Sequence, residues 1–202
     1  MLLIINYKIM RVFLSVLILI FSLQSLIKAD DIRDFEIEGM SIGDSLLDYF
    51  SKNEIKENTE NYYDNFKSNK YYVVEIYEHK NFEVYESIQL SLKTNDKNYI
   101  IYHIVGLVFY PTNINHCYDK QKEISNELMY LFKNIEKKDR TTIHPGDATG
   151  KSTVNEINFW FKSGDVAAVD CYDWSEHLDW TDHLRVGMLS NDFNIWLTDN
   201  LK

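Results

Sequence analysis

The spacing of apolar residues changes character several times along the chain, and each change marks an element. Val12 to Leu23 is an almost unbroken apolar run. At about twelve residues it is too short for a bilayer span, which needs about 20, and it suits the core of a secretory leader. Asp30 to Ile37 reads as an extended lead-in. Ser41 then has the character of a helix cap, with Asp44 three residues on, and Ile42, Leu46, Leu47 and Phe50 share one helical face. This helix is expected to fade by Asn53, leaving a polar, irregular stretch through Asn69. Tyr71 to Glu78 is rich in Tyr, Val and Ile and predicts a strand. Between Phe82 and Lys93 the residues alternate, with Phe82, Val84, Ile88, Leu90 and Leu92 on one side, the pattern of a half-buried antiparallel strand. After a turn at 94–98, Tyr99 to Tyr110 is apolar on both faces and predicts a central strand.

The period becomes helical from His116 to about Lys137, where Cys117, Ile124, Leu128, Leu131, Phe132 and Ile135 form a stripe opposite Lys and Glu. Pro145-Gly146-Asp147 breaks the chain. Ile157, Phe159 and Phe161 alternate into a hairpin at Ser163-Gly164-Asp165, and Val166 to Tyr172 returns with Cys171 on the face of Ala167 and Val169. A last strand (Leu184, Val186, Met188) leads to a short helix capped at Ser190, with Phe193, Trp196 and Leu197 turned inward. This order predicts an α+β fold. Its antiparallel sheet is a three-strand meander plus a hairpin and a further strand, and one long helix and short N- and C-terminal helices pack on it. Two prolines, seven glycines and no repeat or linker indicate one domain over residues 30–202.

Charge places that domain. Lys8 and Arg11 precede the apolar run, no acidic residue occurs before Asp30, and Ala29 offers a small residue for cleavage, so residues 1–29 read as a signal peptide. Met10 is a second possible start. Removing Lys8, Arg11 and Lys28 from 21 basic residues leaves 18 against 31 acidic ones, a net charge of −13. Such a surface repels phosphate backbones and anionic headgroups. The sequence therefore argues against nucleic acid as a partner and against stable membrane insertion once the signal is gone. A periplasmic or secreted location is expected, and there the two cysteines, Cys117 and Cys171, are expected to form one disulfide.

Three motifs carry candidate chemistry. Gly43-Asp44-Ser45-Leu46 spells the signature of GDSL-type esterases, which makes Ser45, with His177 or His183 as base, an alternative catalytic set. No buried strand precedes Gly43, however, and Asp173–His177 and Asp179–His183 are spaced by three residues where that family has two. Gly146 to Ser152 imitates a phosphate loop but has three residues between its glycines instead of four, and it leads into a strand. The richest polar stretch runs from Cys171 to His183. Within it Tyr172, Trp174, Glu176, His177, Asp179 and Trp180 combine aromatic faces with carboxylates, the character of a platform for a sugar or a cation. His177 and His183 lie six apart, a spacing that fits neither a helical nor a strand pair of metal ligands, so no metal or cofactor is assigned.

The run from Asp31 to Phe50 resembles the opening of small exported proteins common in small-genome marine alphaproteobacteria, and the stretches around Cys117 and from Leu184 to Leu197 are similar too. That resemblance lends no reaction and no site residues. The Gly39-Met40-Ser41 start is also similar to the helix opening of envelope-assembly modules of the BamE kind. The sequence as a whole points to an envelope protein that binds a small molecule or a protein partner without catalysis.

Overall fold

A computed structural model describes residues 31–132 and 135–201. The signal peptide, its cleavage point at Ala29 and the alternative start lie outside the described residues. The described chain forms one eight-stranded sheet, antiparallel throughout, in the order β1-β2-β3-β4-β8-β7-β6-β5. The strands are β1 (Thr59–Glu60), β2 (Tyr71–Tyr77), β3 (Ser87–Lys93), β4 (Ile101–Phe109), β5 (Glu136–Ile143), β6 (Thr153–Trp160), β7 (Val166–Asp173) and β8 (His183–Leu189). Two consecutive meanders, β1 to β4 and β5 to β8, meet where β4 pairs with β8. The expected α+β architecture holds, with β4 at the centre as its two apolar faces require: Ile101 and Ile104 are buried on one side, Val105 and Leu107 on the other.

One face of the sheet carries the larger core. The helix α2 (Ile114–Leu131) lies against β7 and β8, and Gln121 fixes it by donating to the carbonyls of Asn155 and Val169, each at 2.7 Å. The disulfide Cys117–Cys171 ties the start of this helix to β7, with Cα atoms 6.0 Å apart. Residues 32–50 cover the other half of the same face with Ile32, Ile37, Met40, Ile42, Leu46 and Phe50. On the opposite face a smaller aromatic core joins Tyr71 to Phe193 and Trp196 of α3 (Asn191–Asn200), which Ser190 caps.

The structure corrects the sequence reading at three places. No α-helix runs from Ser41 to Asn53. Glu38, Gly39 and Gly43 take positive φ, and the segment closes instead on the start of β4, where Gly43 N–H donates to the Ile101 carbonyl and Leu46 N–H to that of Tyr99. Asp44 does accept from Ser41 N–H, at 2.9 Å, so the capping contact forms without its helix. The helix of this region is α1 (Lys52–Glu57), started by a capping box between Ser51 and Glu54 and running into the stretch expected to be irregular.

Residues 82–86 are not part of β3, because the N–H groups of Glu83, Val84 and Tyr85 point at the Glu38 carboxylate, at 2.8, 2.7 and 3.0 Å, and not at a neighbouring strand. Tyr85 still enters the core over Gly106, where a Cβ would lie 2.4 Å from its ring.

The long helix stops at Leu131, six residues before Lys137. Phe132 leaves it in an extended conformation and packs among Phe35, Phe159 and Phe161. The next element is a strand, β5, whose residues are exposed except for partly covered Thr142. With no apolar period to betray it, β5 is held by its ladder to β6 and by the Arg140–Glu156 ion pair at 2.7 Å.

Candidate functional site

Strand register gathers the polar loops at one end of the sheet. Thr153 pairs with both Ile143 and Asp173, and Tyr172 pairs with His183. Loops 144–152 and 174–182 therefore leave the sheet side by side. The first winds around Asp147, which is 4 % exposed. One carboxylate oxygen accepts from Thr149 N–H and Oγ1, at 2.8 and 2.7 Å. The other accepts from Ser152 N–H and Oγ, again at 2.8 and 2.7 Å. Burial pushes the Asp147 carboxyl upward, but these bonds outweigh it and hold the group below the usual carboxylate range, so it stays ionised. Ser152 joins the loops: while its hydroxyl donates to Asp147, its oxygen accepts from Ser175 N–H at 3.0 Å.

Three side chains then stand in a row. The Ser175 hydroxyl hydrogen-bonds His177 Nδ1, and His177 Nε2 faces Asp147 Oδ1 at 3.5 Å. A neutral ring protonated on Nε2 would leave Nδ1 free to accept from that hydroxyl. His177 is 45 % open to solvent while the Asp147 side chain is fully covered.

Beside this row sits an aromatic cluster. Trp174 donates its backbone N–H to Asp182 at 2.7 Å, and its indole N–H lies 3.4 Å from His183 Nδ1. The His144 ring stands edge-on to it at 4.5 Å. Trp180 meets Trp174 edge-to-face, with centroids 4.6 Å apart and planes at 84°. Tyr172 stacks on His183 at 4.8 Å, and the Arg185 guanidinium lies 5.3 Å over the Tyr172 ring. Burial lowers His183 to about 4 and lowers His144 as well, so both imidazoles are uncharged at neutral pH. Trp174 and Tyr172 are half-buried, whereas Trp180 is 53 % exposed.

A second polar row crosses the same sheet face. Arg185 donates to Gln89 at 2.8 Å. Its cross-strand partner Asp170 has a buried Oδ1 without a hydrogen-bond partner. Burial, with the Glu156 charge opposite it, raises Asp170 to about 7.

The six residues singled out as a binding platform are thus brought to one end of the molecule, with Glu176, His177, Asp179 and Trp180 exposed and Tyr172 and Trp174 behind them. The alternative set is not assembled. Ser45 pairs with Ile100 at one end of β4 and His183 with Phe109 at the other, and nine residues of strand span on the order of 30 Å. The Ser45 hydroxyl donates to the Asn98 carbonyl at 2.7 Å and caps the 3₁₀ turn Leu46–Asp48. Sequence reading missed Ser175, Asp147 and Ser152. Ser175-x-His177 is visible in the chain, but Asp147 reaches it only through the β6–β7 hairpin. Among the described residues no group of three or more His, Cys, Asp or Glu side chains is arranged to hold a metal ion. No known protein family, curated protein or solved structure matches this chain.

Proposed function

We propose that the chain is an exported protein that holds a small hydroxylated or cationic ligand against the Trp174–Trp180 corner. The carrying observation is the exposed Trp180 face, 53 % open and braced by a Trp174 that is itself bonded to Asp182 and packed on the His144 ring. An indole kept rigid and wet is suited to stacking on a sugar or an ammonium group. Glu176 and Asp179, exposed in the same loop, offer acceptors to hydroxyls and charges to a cation. Export is supported by the leader-like start of the sequence and by the Cys117–Cys171 bridge, which is favoured in oxidising compartments. Among the described residues, no helix is long and apolar enough to cross a membrane.

The test is a thermal-shift screen of polyamines, amino acids and envelope sugars, followed by titration of indole fluorescence. A ligand present at about 100 times its Kd stabilises the folded state by about 2.7 kcal/mol. Trp180→Ala should abolish that stabilisation. Binding that survives Trp180→Ala would remove the corner as the site.

A further inference from the structure

The row Ser175–His177–Asp147 goes beyond binding, and its geometry points to an acyl-transfer centre in which Ser175 is the nucleophile and His177 the general base. Every part of a base-activated serine is present in a single chain of contacts. The Ser175 hydroxyl is within hydrogen-bonding contact of His177 Nδ1, which in the Nε2-protonated tautomer can take its proton. On the far side of the ring, Asp147 Oδ1 lies 3.5 Å from Nε2, where a fixed negative charge balances the imidazolium that forms. The order of the ring nitrogens is reversed from the common arrangement, but the roles depend on contacts and not on atom names.

The support around the row resembles that of a working site. Asp147 is held ionised by bonds from Thr149 and Ser152, and Ser152 also fixes the Ser175 backbone. The two loops therefore cannot drift apart without breaking a fully buried serine out of its contacts. The nucleophile needs no other task, since Ser175 starts the turn Glu176–Leu178 without a side-chain capping bond. That contrasts with Ser45, whose hydroxyl is committed to Asn98.

The reaction is a two-step ester hydrolysis. Ser175 Oγ attacks the carbonyl carbon of a carboxylic ester while its proton passes to His177 Nδ1. The tetrahedral adduct collapses, the bond to the leaving oxygen breaks, and the imidazolium protonates that oxygen to release the alcohol. Water then attacks the acyl-serine with His177 again as base, and the carboxylic acid leaves as Ser175 regains its proton. Asp147 is a positioning residue throughout. The seat of the substrate against Trp180 rests on the binding reading above, but the covalent chemistry at Ser175 does not.

The experiment treats the purified chain, disulfide intact, with a fluorophosphonate and with p-nitrophenyl acetate and butyrate. The expected result is a phosphonate adduct located on Ser175 by mass spectrometry, with ester turnover lowered about 100-fold or more by Ser175→Ala and by His177→Gln. Ser45→Ala should keep both adduct and turnover. Asp147→Asn, compared at equal folded fraction, should lower kcat while KM holds, which a purely structural role would not do. An unlabelled and inactive chain that still melts cooperatively would overturn the proposal, as would turnover surviving Ser175→Ala or an adduct on another serine. Ligand stabilisation without any adduct sinks only the acyl-transfer step, whereas an adduct on Ser175 with no ligand found sinks only the platform.

Discussion

The two ends of β4 each present a serine beside an acidic loop, and they differ in what the backbone does there. At the Ile100 end, residues 43–46 are stitched to the strand by backbone bonds from Gly43 to Ile101, from Ile101 to Asp44 and from Leu46 to Tyr99, each 2.9 Å. Ser45 is spent on closing that lattice. At the Phe109 end the strands stop in register and hand over to loops whose bonds run mostly through side chains: Asp147, Ser152, Ser175, His177 and Asp182. A four-residue signature sits at the first end and a chemically competent row at the second. Side chains become available for chemistry where the backbone has already been satisfied by other means, and a motif match carries no information about that.

The contrast can be broken or sharpened by perturbing each end in turn. The largest effect should come from the bridge that braces the loop end, two residues before Asp173. Closing a loop of about 55 residues is worth on the order of 4 kcal/mol, so Cys171→Ser should lower Tm sharply in a calorimeter, and free-thiol titration of the unreduced parent should find none. Next, Trp174→Ala should cost about 2 kcal/mol by denaturant melt, because a half-buried indole and its brace on Trp180 are lost together.

Acid tests both ends together, since each has a buried histidine. His103, stacked on Phe193 and bonded to Ser91, is pushed by burial down to about 3, and His183 to about 4. The unfolded chain takes up these protons near 6.5. Their contribution to stability is therefore complete above that pH and declines as pH falls toward 4 and then 3. A pH series of melts on His103→Gln should show a shallower acid decline. A parent whose Tm stays flat from pH 7 to 4 would show that neither ring is held neutral.

Smaller effects are expected from single polar and exposed groups. Ser45→Ala removes one hydroxyl bond and one cap and should cost about 1 kcal/mol. Last, Trp180→Ala should leave stability within about 0.5 kcal/mol while abolishing ligand response. A large loss of stability there would recast the exposed indole as a structural lid.

How much of this was legible depended on whether the signal was local. β2, β4, the hairpin around Gly164 and α3 announce themselves through alternation, turn residues or a Ser190 cap, and they lie where expected within a residue or two. Ile42, Leu46, Leu47 and Phe50 fit a helical face equally well when turns fold them onto a sheet, and the positive φ at Gly43 with the extended backbone at Ser45 separates the two outcomes. β5 was invisible because an exposed edge strand needs no apolar face, and its Lys and Glu were counted toward a helix. The aromatic corner could be read because it is one continuous stretch. Asp147 could not, being 28 residues before Ser175 in the chain and adjacent to it only once Thr153 and Asp173 pair.

The division of the sheet into two consecutive meanders has a consequence for how the molecule comes into being. Within each meander every pairing joins strands that are neighbours in sequence, and such hairpins close in microseconds. The seam between β4 and β8 must instead bring His103 to Leu189 and Phe109 to His183, so it carries most of the entropy of chain closure and sets the pace. Asp147, Ser152, Ser175 and His177 all belong to the second meander and are drawn together by its own hairpin. The loop chemistry is thus written into a unit that can organise itself during synthesis before the two halves meet, and the Cys117–Cys171 bond fastens α2, which precedes that unit in the chain, onto its strand β7.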